Sequence, residues 1–406
     1  MGETTSRVVI VGAGHAGGSA AAFLRQFGFE GEITVVGEEP LAPYQRPPLS
    51  KAWLKGEADG ESLLLRPQSF YAEQSIDLRL ATRVTHIDRT AKHVALTGGE
   101  LVAYDLLILA TGSNARKLPI PGANDPTILE LRTAAEADAL KAALTPGQKL
   151  IVVGAGYIGL EVAASARALG CEAVVVEREA RVLARVASAP LSAFFERYHR
   201  DRGVEILVNA LATSIDPTGH AVALSDGRVI EGDAVLVGVG AVACDLLGSA
   251  SGLHCDGGIV VDEDARTSDP SVYAIGDCTN RPLPIYGARL RLESVPNALE
   301  QAKQAAASIC GRPRPAPETP WFWSDQYDLK LQIAGVSLGP DRLVIRGNLE
   351  ENHFAIFHLK GARMLAVEAV NAPAEFMAGK LLILKQHDVN PEQLANVDVA
   401  MKTLLA

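Results

Sequence analysis

A glycine-rich turn between a short apolar run and an alanine-rich segment occurs twice in this chain, and this repeat constrains the fold more than any other feature. The first copy, within Arg7–Glu38, passes through Gly12-Ala13-Gly14-His15-Ala16-Gly17. The first glycine permits the tight bend, the second lets backbone approach a pyrophosphate, and the third lets the helix pack closely on the strand. Glu38 follows Gly17 by 21 residues, a spacing that suits a carboxylate bound to a ribose diol.

The second copy, Lys149–Glu177, predicts a second dinucleotide site. Gly154, Gly156 and Gly159 repeat the spacing, and Glu177 follows Gly159 by 18 residues. In both copies the following helix offers unpaired N–H groups and a positive dipole end to phosphate. One such turn is common in α/β proteins, whereas two in one chain indicate two bound dinucleotides.

Length and composition restrict the class of protein. With 406 residues, 48% of them hydrophobic and 21% charged, we expect two or three domains with buried cores. A net charge of −10 argues against nucleic acid or an anionic membrane as the main partner. The five cysteines lack CxxC spacing, so neither a metal site nor a disulfide framework is expected. No apolar leader and no apolar run of about 18 residues is visible, which predicts a cytoplasmic protein.

Outside the two fingerprints, the pattern indicates a duplicated module followed by a smaller part. Short strand-like runs fill residues 78–112, and Gly203–Ala241 repeats their order after the second fingerprint. Residues 245–320 have no fingerprint, but a short apolar run there ends at Asp277, a carboxylate suited to a polyol. Residues 321–406 predict a small α+β domain.

A proline-rich loop after the first fingerprint, Pro43–Lys51, suggests the wall of a ligand site. Its prolines exclude regular strand pairing and hold the backbone extended. Ser50 is a candidate N-cap of a short helix that carries Lys51 and Trp53. A purely structural turn is the alternative.

These features resemble the flavoprotein reductases with two dinucleotide folds, in the branch of NADH-dependent ferredoxin reductases that serve bacterial cytochromes P450 and ring-hydroxylating dioxygenases. The resemblance runs nearly end to end. It is carried by RPPLSK (46–51), ATG (110–112), LRT (131–133), GAGYIGLEVAA (154–164), TSDPSVYAIGDC (267–278), ESVPNALEQA (293–302) and PWFWSDQYD (320–328).

The resemblance implies an α/β fold with two Rossmann-like dinucleotide-binding domains of the glutathione-reductase type and a small α+β C-terminal domain. We expect a discontinuous FAD-binding domain (1–113 and 245–320), an NAD-binding domain (114–244) and the C-terminal domain (321–406).

By resemblance, the first fingerprint binds FAD. Glu38 would contact the adenosine ribose and Asp277 the ribityl-phosphate region, while Val295 stands at a predicted helix start whose positive end would stabilise charge on the N1–C2=O edge of the flavin. The expected FAD contacts are Gly12, Gly14, Ala16, Gly17, Glu38, Arg46, Lys51, Val84, Ala110, Thr111, Gly112, Arg132, Asp277 and Val295.

The second fingerprint is expected to bind NADH, because Glu177 would bind the ribose diol and repel a 2′-phosphate. Arg178 makes NADPH an alternative coenzyme, since a nearby arginine accommodates that phosphate. Tyr157 resembles the ring that shields the flavin until nicotinamide arrives, and packing against the strand is the alternative. The expected NAD contacts are Gly154, Gly156, Tyr157, Ile158, Gly159, Glu161, Glu177, Arg178 and Gly240.

The resemblance also implies catalytic and docking residues. Lys51 would lie beside flavin N5, where a cation favours hydride addition, and Glu161 would compensate its charge. From its neighbours alone, Glu161 would be a solvent-exposed helix residue. Trp323 is the expected electron exit, with Trp321 or simple core packing as alternatives. The expected ferredoxin contacts are Arg66, Lys303 and Lys330.

The expected function is hydride transfer from NADH to FAD, then two single-electron deliveries to a [2Fe–2S] ferredoxin that feeds a P450. A ring-hydroxylating dioxygenase is an alternative terminal enzyme. Disulfide reductases and NADH oxidases share the fold but need a redox cysteine; residues 39–66 contain none, and Cys278 is expected to pack. Interaction proteins similar to apoptosis-inducing factor usually have a targeting segment and a basic surface, which this sequence does not show.

Overall fold

The computed structural model describes residues 6–405, which fall into two compact units. Unit 1 holds Met1–Gln45, Gly60–Asn114 and Val242–Glu318, and unit 2 holds Arg46–Asp59, Ala115–Ala241 and Thr319–Ala406. The proline-rich loop from Arg46 onward therefore belongs to unit 2. The assignment of FAD and NAD to the domains outlined above stays a prediction.

The elements are numbered here in chain order. Those up to residue 115 are β1 (Arg7–Val11), α1 (His15–Gln26), β2 (Glu32–Val36), α2 (Gly60–Leu63), α3 (Gln68–Glu73), β3 (Ile76–Arg79), β4 (Val84–Asp88), β5 (His93–Leu96), β6 (Leu101–Ala103), β7 (Leu106–Leu109) and β8 (Ser113–Ala115). Those of the middle part are α4 (Ala134–Ala143), β9 (Lys149–Val153), α5 (Tyr157–Ala168), β10 (Glu172–Val176), α6 (Ala189–Arg200), β11 (Val204–Leu207), β12 (Ala212–Ile215), β13 (Ala221–Leu224), β14 (Val229–Glu231), β15 (Ala234–Val237) and β16 (Ala241–Ala243).

The remaining elements complete the chain. They are α7 (Leu246–Ala250), β17 (Ile259–Val260), β18 (Val272–Ala274), β19 (Thr279–Leu283), β20 (Ala288–Leu290), α8 (Val295–Ile309), β21 (Trp321–Gln326), β22 (Leu329–Gly335), β23 (Arg342–Asn348), β24 (His353–Lys360), β25 (Arg363–Val370), α9 (Pro373–Lys385) and α10 (Pro391–Ala395). Short 3₁₀ helices occupy Pro47–Ser50, Gly276–Cys278, Pro284–Tyr286 and Met401–Leu405. Within the described range, no helix is both long and apolar enough to cross a bilayer.

Unit 1 is built on a parallel sheet with the strand order β18-β7-β1-β2-β3. The central strands β1 and β7 are runs rich in valine, isoleucine and leucine and are buried except at their first residues, as expected for a parallel sheet covered on both faces. β1 lies between β2 and β7, so the chain leaves β1 in one direction and returns on its other side. Ligands of open α/β sheets bind at the carboxyl ends of the strands at such a switch point. Strands β4, β5 and β6, which lie between β3 and β7 in the chain, form a separate antiparallel sheet.

Helices α1 and α8 share the core on one face of that sheet. Leu24 of α1 and Ala302 of α8 are fully buried in the same apolar cluster. The many alanines of both helices present little side-chain volume and so permit close contact. Ser294 caps α8 by accepting the N–H of Asn297 at 3.2 Å, and Pro296 occupies its first turn, where no N–H donor is needed.

Unit 2 repeats the parallel sheet with its fingerprint turn and adds a C-terminal antiparallel sheet. Its parallel sheet has the order β11-β10-β9-β15, and β12-β13-β14 forms the matching antiparallel sheet. As β1 does in unit 1, β9 leads into the fingerprint turn and lies between the next parallel strand, β10, and a later one, β15. The duplicated sequence pattern therefore corresponds to a duplicated arrangement of strands. The C-terminal part forms the antiparallel sheet β21-β22-β25-β24-β23, packed against α9.

The core beneath α1 yields a test of the fold. Leu24→Ala should lower the free energy of unfolding by about 2–5 kcal/mol, because a fully buried leucine leaves a cavity. Leu299→Ala on α8 is the matched control, since Leu299 is 37% exposed and a surface change costs about 0.5 kcal/mol or less. Denaturant unfolding followed by circular dichroism measures both. Equal losses in the two variants contradict this description of the core.

Candidate functional site

The first fingerprint forms a tight turn with open space above it. Gly12 donates its N–H to the carbonyl of Val36 at 2.8 Å and has a φ of +114°; a Cβ there would lie 2.2 Å from the carbonyl oxygen of Ala110. A Cβ at Gly17 would lie 1.9 Å from the carbonyl oxygen of Gly12, so the approach of helix to turn requires glycine. At Gly14, no described atom lies within 4 Å of the Cβ position. That gap stands at the N-terminus of α1, where phosphate binds well.

Two buried polar atoms of unit 1 support the fit of a cofactor here. His15 Nδ1 and Gln301 Nε2 are buried and have no hydrogen-bond partner among the described residues. Gln301 uses its other amide atom, Oε1, to accept from the N–H of Gly276 at 2.9 Å and from the hydroxyl of Thr279 at 3.0 Å. Burial lowers the pKa of His15 to about 4, against the opposing effect of the Asp277 carboxylate. Buried groups without partners are rare, and a polar ligand would satisfy them.

The two carboxylates expected to bind the FAD sugars have different surroundings in unit 1. Asp277 lies in the 3₁₀ turn after β18, is half-buried, and accepts a hydrogen bond from the Ser113 hydroxyl at 3.0 Å. Glu38 is exposed after β2 and lies 3.4 Å from the Arg83 guanidinium. An exposed pair of this kind contributes little stability, so Glu38 is available to a ligand.

The other expected FAD contacts divide between the units. Those of unit 1, besides the fingerprint glycines and Val295 at the start of α8, are Ala16, Val84, Ala110, Thr111 and Gly112. Thr111 donates its hydroxyl to the carbonyl of Cys244 at 2.6 Å. Arg46, Lys51 and Arg132 belong to unit 2, where the Arg46 guanidinium donates to the carbonyl of Arg132.

The second fingerprint has the same open position at Gly156, where no described atom lies within 4 Å of a Cβ. Its acid, Glu177, is bound to the backbone: Oε2 accepts the N–H of Ala155 at 2.7 Å and Oε1 that of Glu179 at 2.9 Å. Arg178 is exposed and pairs with Glu179 at 3.0 Å. The carboxylate is therefore held at the turn, where it can meet a ribose. The remaining expected contacts are Ile158, exposed on α5, and Gly240, just beyond β15.

Tyr157 opens helix α5. Its ring packs edge-on against Phe322, with 4.8 Å between the ring centroids, and its hydroxyl donates to the carbonyl of Val186 at 3.4 Å. Burial, followed by the charges of Glu368 and Glu161, raises the pKa of Tyr157 well above its usual value. The ring is therefore neutral and packed in this structure, and its shielding role stays a prediction.

A buried ion pair joins the proline-rich loop to α5 within unit 2. Lys51 Nζ lies 2.6 Å from Glu161 Oε2, with side-chain exposures of 17% and 3%. The ammonium also donates to the carbonyl of Pro47 at 3.0 Å and to the Ser50 hydroxyl oxygen at 3.2 Å. Glu161 accepts two further hydrogen bonds, from Ser50 at 2.5 Å and from Ser324 at 2.6 Å. A buried charge is tolerated when it is paired and hydrogen-bonded in this way.

The predicted role of Ser50 as a helix cap is wrong. The helix is the 3₁₀ turn Pro47–Ser50, which ends at Ser50, and Lys51 and Trp53 follow it in turns. The Ser50 hydroxyl instead donates to Glu161. Its carbonyl accepts from the Ser165 hydroxyl of α5 at 2.7 Å. Side-chain hydrogen bonding to a buried charge outweighs capping here, because a charged acceptor makes a stronger hydrogen bond.

The aromatic and basic residues expected to serve the partner protein have accessible positions. Trp321 and Trp323 are half-buried with 5.6 Å between their centroids; Trp321 also packs on Phe376 and carries the Lys380 ammonium 5.3 Å above its ring. The three docking candidates are exposed, namely Arg66, Lys303 and Lys330.

Several polar residues near these sites were missed from the sequence. Ser324 and Gln326 are almost fully buried on β21, and His199 is fully buried on α6. The alternation of β21 contained a signal for the first two, because they stand two residues apart and so share a face of the strand. His15 lay inside the first fingerprint but received no role. His199 had no sequence signal, since its partner Gln326 is 127 residues away.

No reactive cysteine is evident among the described residues. None of the five cysteines forms a disulfide, and Cys278 is completely buried next to the carbonyl of Ile275 at 3.3 Å. Burial raises the pKa of the Cys278 thiol, which disfavours the thiolate needed for redox chemistry. This supports the packing role expected for it.

The described residues form two fingerprint turns, each with open space at its second glycine, and a lysine–glutamate ion pair. This combination is typical of an oxidoreductase that binds two dinucleotides. Two family descriptions match the chain: pyridine nucleotide-disulphide oxidoreductase over residues 6–302 and reductase C-terminal over residues 321–405. The chain belongs to the pyridine nucleotide-disulphide oxidoreductase family. This confirms the resemblance and the fold class expected from the sequence, and the cofactors are FAD and a pyridine nucleotide.

Individual relatives are similar over their full length. The probable ferredoxin reductase CtmF of Castellaniella defragrans is 50% identical, with 99% of each chain covered. Putidaredoxin reductase, in the crystal structure of its covalent complex with putidaredoxin, is 41% identical and superposes with a TM-score of 0.97 over 99% of each chain. The ferredoxin reductase for the CYP199A2 system from Rhodopseudomonas palustris is also 41% identical, with a TM-score of 0.95, 99% of this chain and 100% of that chain covered.

The position of Glu177 leads to a prediction on coenzyme choice. Glu177→Gln should raise the ratio of kcat/KM for NADPH to that for NADH about tenfold, because it removes a charge that repels the 2′-phosphate but keeps an acceptor oxygen. Glu172→Gln, an exposed change at the other end of β10, is the matched control and should leave the ratio unchanged. A wild-type preference for NADPH would show that Arg178 outweighs Glu177.

Proposed function

We propose that this chain passes electrons from NADH to a [2Fe–2S] ferredoxin that supplies a bacterial cytochrome P450, and that it does so in the cytoplasm. The observation that carries the proposal is full-length similarity to putidaredoxin reductase, solved in a covalent complex with putidaredoxin. The likeness to the reductase of the CYP199A2 system supports the P450 branch. FAD, when bound, supplies the needed chemistry, since it takes up two electrons as a hydride and releases them singly.

Residues of this chain would bind the cofactors and set the charge of the site. The glycine turns and helix N-termini hold the phosphates, while Glu177 holds the ribose of NADH. Lys51 supplies a fixed positive charge that favours arrival of hydride, and Glu161 holds that ammonium in position. Tyr157 covers the hydride path until the nicotinamide displaces it. Trp323 lies on the path by which electrons leave.

Reconstitution tests the function. The purified protein, NADH and a panel of [2Fe–2S] ferredoxins from P450 and ring-hydroxylating dioxygenase systems are mixed, and ferredoxin reduction is followed by visible absorption. We expect rapid reduction with a P450-type ferredoxin and hydroxylation when its P450 is added. Preference for a dioxygenase ferredoxin would show that the protein serves a ring-hydroxylating dioxygenase rather than a P450. Slow reduction of every ferredoxin, with a tightly bound FAD, would favour an interaction protein.

The first mutational prediction concerns Lys51. Lys51→Met should slow flavin reduction by NADH about 10²- to 10³-fold while FAD stays bound, because a fixed charge near the reacting atoms is lost. Stopped-flow absorption measures the rate, and Lys51→Arg, which keeps the charge, should be much faster than Lys51→Met.

The substitution also leaves Glu161 buried without its partner, which is costly in itself. The double variant Lys51→Met/Glu161→Gln removes both charges and separates the two effects. A slow double variant assigns the effect to the lysine charge. Recovery of the rate would instead assign it to the unpaired carboxylate and would contradict the role proposed for Lys51.

The second mutational prediction concerns docking. Because the chain carries a net charge of −10, an acidic ferredoxin must be attracted by a local basic patch. Reversal of Arg66, Lys303 and Lys330 together to Glu should raise the KM for ferredoxin about tenfold or more and flatten its dependence on salt. Reduction of ferricyanide by NADH should remain nearly intact.

A matched control reverses three exposed lysines elsewhere, Lys92, Lys360 and Lys402. It changes the net charge by the same amount, so it separates local attraction from general repulsion. Equal effects of the two triple variants would show that Arg66, Lys303 and Lys330 have no special role.

A further inference from the structure

A chain of buried side chains leads away from the Lys51–Glu161 pair inside unit 2. The Ser324 hydroxyl lies 2.6 Å from Glu161 Oε1, Gln326 Nε2 lies 3.1 Å from Ser324 Oγ, and His199 Nε2 lies 2.7 Å from Gln326 Oε1. Each of these residues is at most 3% exposed. Nothing in the hydride-transfer scheme described above uses Ser324, Gln326 or His199.

The donors and acceptors of this chain determine its direction. A carboxylate only accepts hydrogen bonds, so Ser324 must give its single proton to Glu161. The Ser324 oxygen must then accept from the Gln326 amide nitrogen, which leaves the amide oxygen of Gln326 facing His199. An amide oxygen also only accepts, so His199 must carry its proton on Nε2.

The hydrogen bonds on the other side of Glu161 also run toward its carboxylate. Lys51 donates to the Ser50 oxygen, which leaves the single Ser50 proton for Glu161. All these donors therefore point toward one carboxylate. Hydrogen bonds in series polarise each other, so Gln326 and His199 strengthen the hydrogen bond that Ser324 donates to Glu161.

Two features of the surroundings agree with this arrangement. Burial lowers the pKa of His199 to about 4, and the Arg202 charge acts in the same direction against the Gln326 hydrogen bond, so the imidazole is neutral near pH 7. Its Nδ1 faces the Tyr327 hydroxyl at 3.5 Å. Strand β21 places Ser324 and Gln326 on one face, because residues two apart point the same way.

We propose that Ser324, Gln326 and His199 are positioning residues that form a one-way hydrogen-bond chain, which fixes the orientation of the Glu161 carboxylate and thereby holds the Lys51 ammonium in place. The direction of the hydrogen-bond chain follows from the donor and acceptor properties of its groups and from the distances between them. Its effect on hydride transfer rests on the role proposed for Lys51.

The chain is tested first without turnover. The oxidised holoprotein is labelled with ¹⁵N-histidine, and the ring shifts of His199 are recorded at pH 7, with the signal assigned by its loss in His199→Asn. We expect a neutral ring with the proton on Nε2. A neutral ring protonated on Nδ1, or a charged ring, overturns the chain whatever the protein's function.

The effect on the pair is tested by the reductive half-reaction. Ser324→Ala should lower the limiting rate of flavin reduction about tenfold without changing the Kd for NADH, because one hydrogen bond to the charged group is lost. Ser324→Thr should restore the rate, since it keeps the hydroxyl. Gln326→Leu should have a smaller effect in the same direction, because it acts one bond farther from Glu161.

The matched control is Ser337→Ala. It removes a hydroxyl bonded at 2.7 Å to another buried histidine of unit 2, His358, and should leave the rate unchanged. If Lys51→Met is slow but Ser324→Ala matches the wild type, the chain does not act on the pair. If Ser324→Ala is slow while Lys51→Met is not, the chain acts without the lysine, which overturns the proposed role of Lys51 and the coupling with it.

Discussion

Compensation of one buried carboxylate, Glu161, organises much of unit 2. Removal of a carboxylate from water costs several kcal/mol in a protein interior, so its partners must be placed accurately. Those partners come from separate stretches of sequence: Ser50 and Lys51 from the proline-rich loop and Ser324 from strand β21. Since Glu161 stands one turn into the helix that opens at the second fingerprint, the loop and β21 are tied to the turn for which we propose pyridine-nucleotide binding. The hydrogen bonds around Glu161 thus link three segments of unit 2 that are far apart in the sequence.

The two units use one plan with different electrostatics. Both place a glycine turn at the switch point of a parallel sheet and an acid at the end of the next strand. The acids differ in how they are held. Glu177 is bound by two backbone N–H groups, whereas Glu38 is exposed beside Arg83. A fixed carboxylate suits a site that discriminates between sugars with and without a phosphate, because its charge cannot turn away from the ligand.

The family name includes a disulphide, yet the cysteines of this chain offer none. None of the five forms a disulfide, and Cys278, in the 3₁₀ turn after β18, is buried with a raised pKa. A buried thiol with a raised pKa is a poor nucleophile, so Cys278 gives no support to disulfide chemistry and is compatible with the one-electron partner proposed above.

The sequence by itself determined the local machinery. Strand, turn, helix and acid lie within about 30 residues in each fingerprint, so steric demands on glycine and the helix dipole act between neighbours and are legible without a structure. The duplicated module and the small final domain followed from the same local patterns. Only the tertiary structure decided the fate of polar side chains: Glu161 is buried rather than exposed, Ser50 bonds to it rather than capping a helix, and His199 joins it through β21. These contacts span 110 to 163 residues, and a charge's environment depends on which distant segments fold around it.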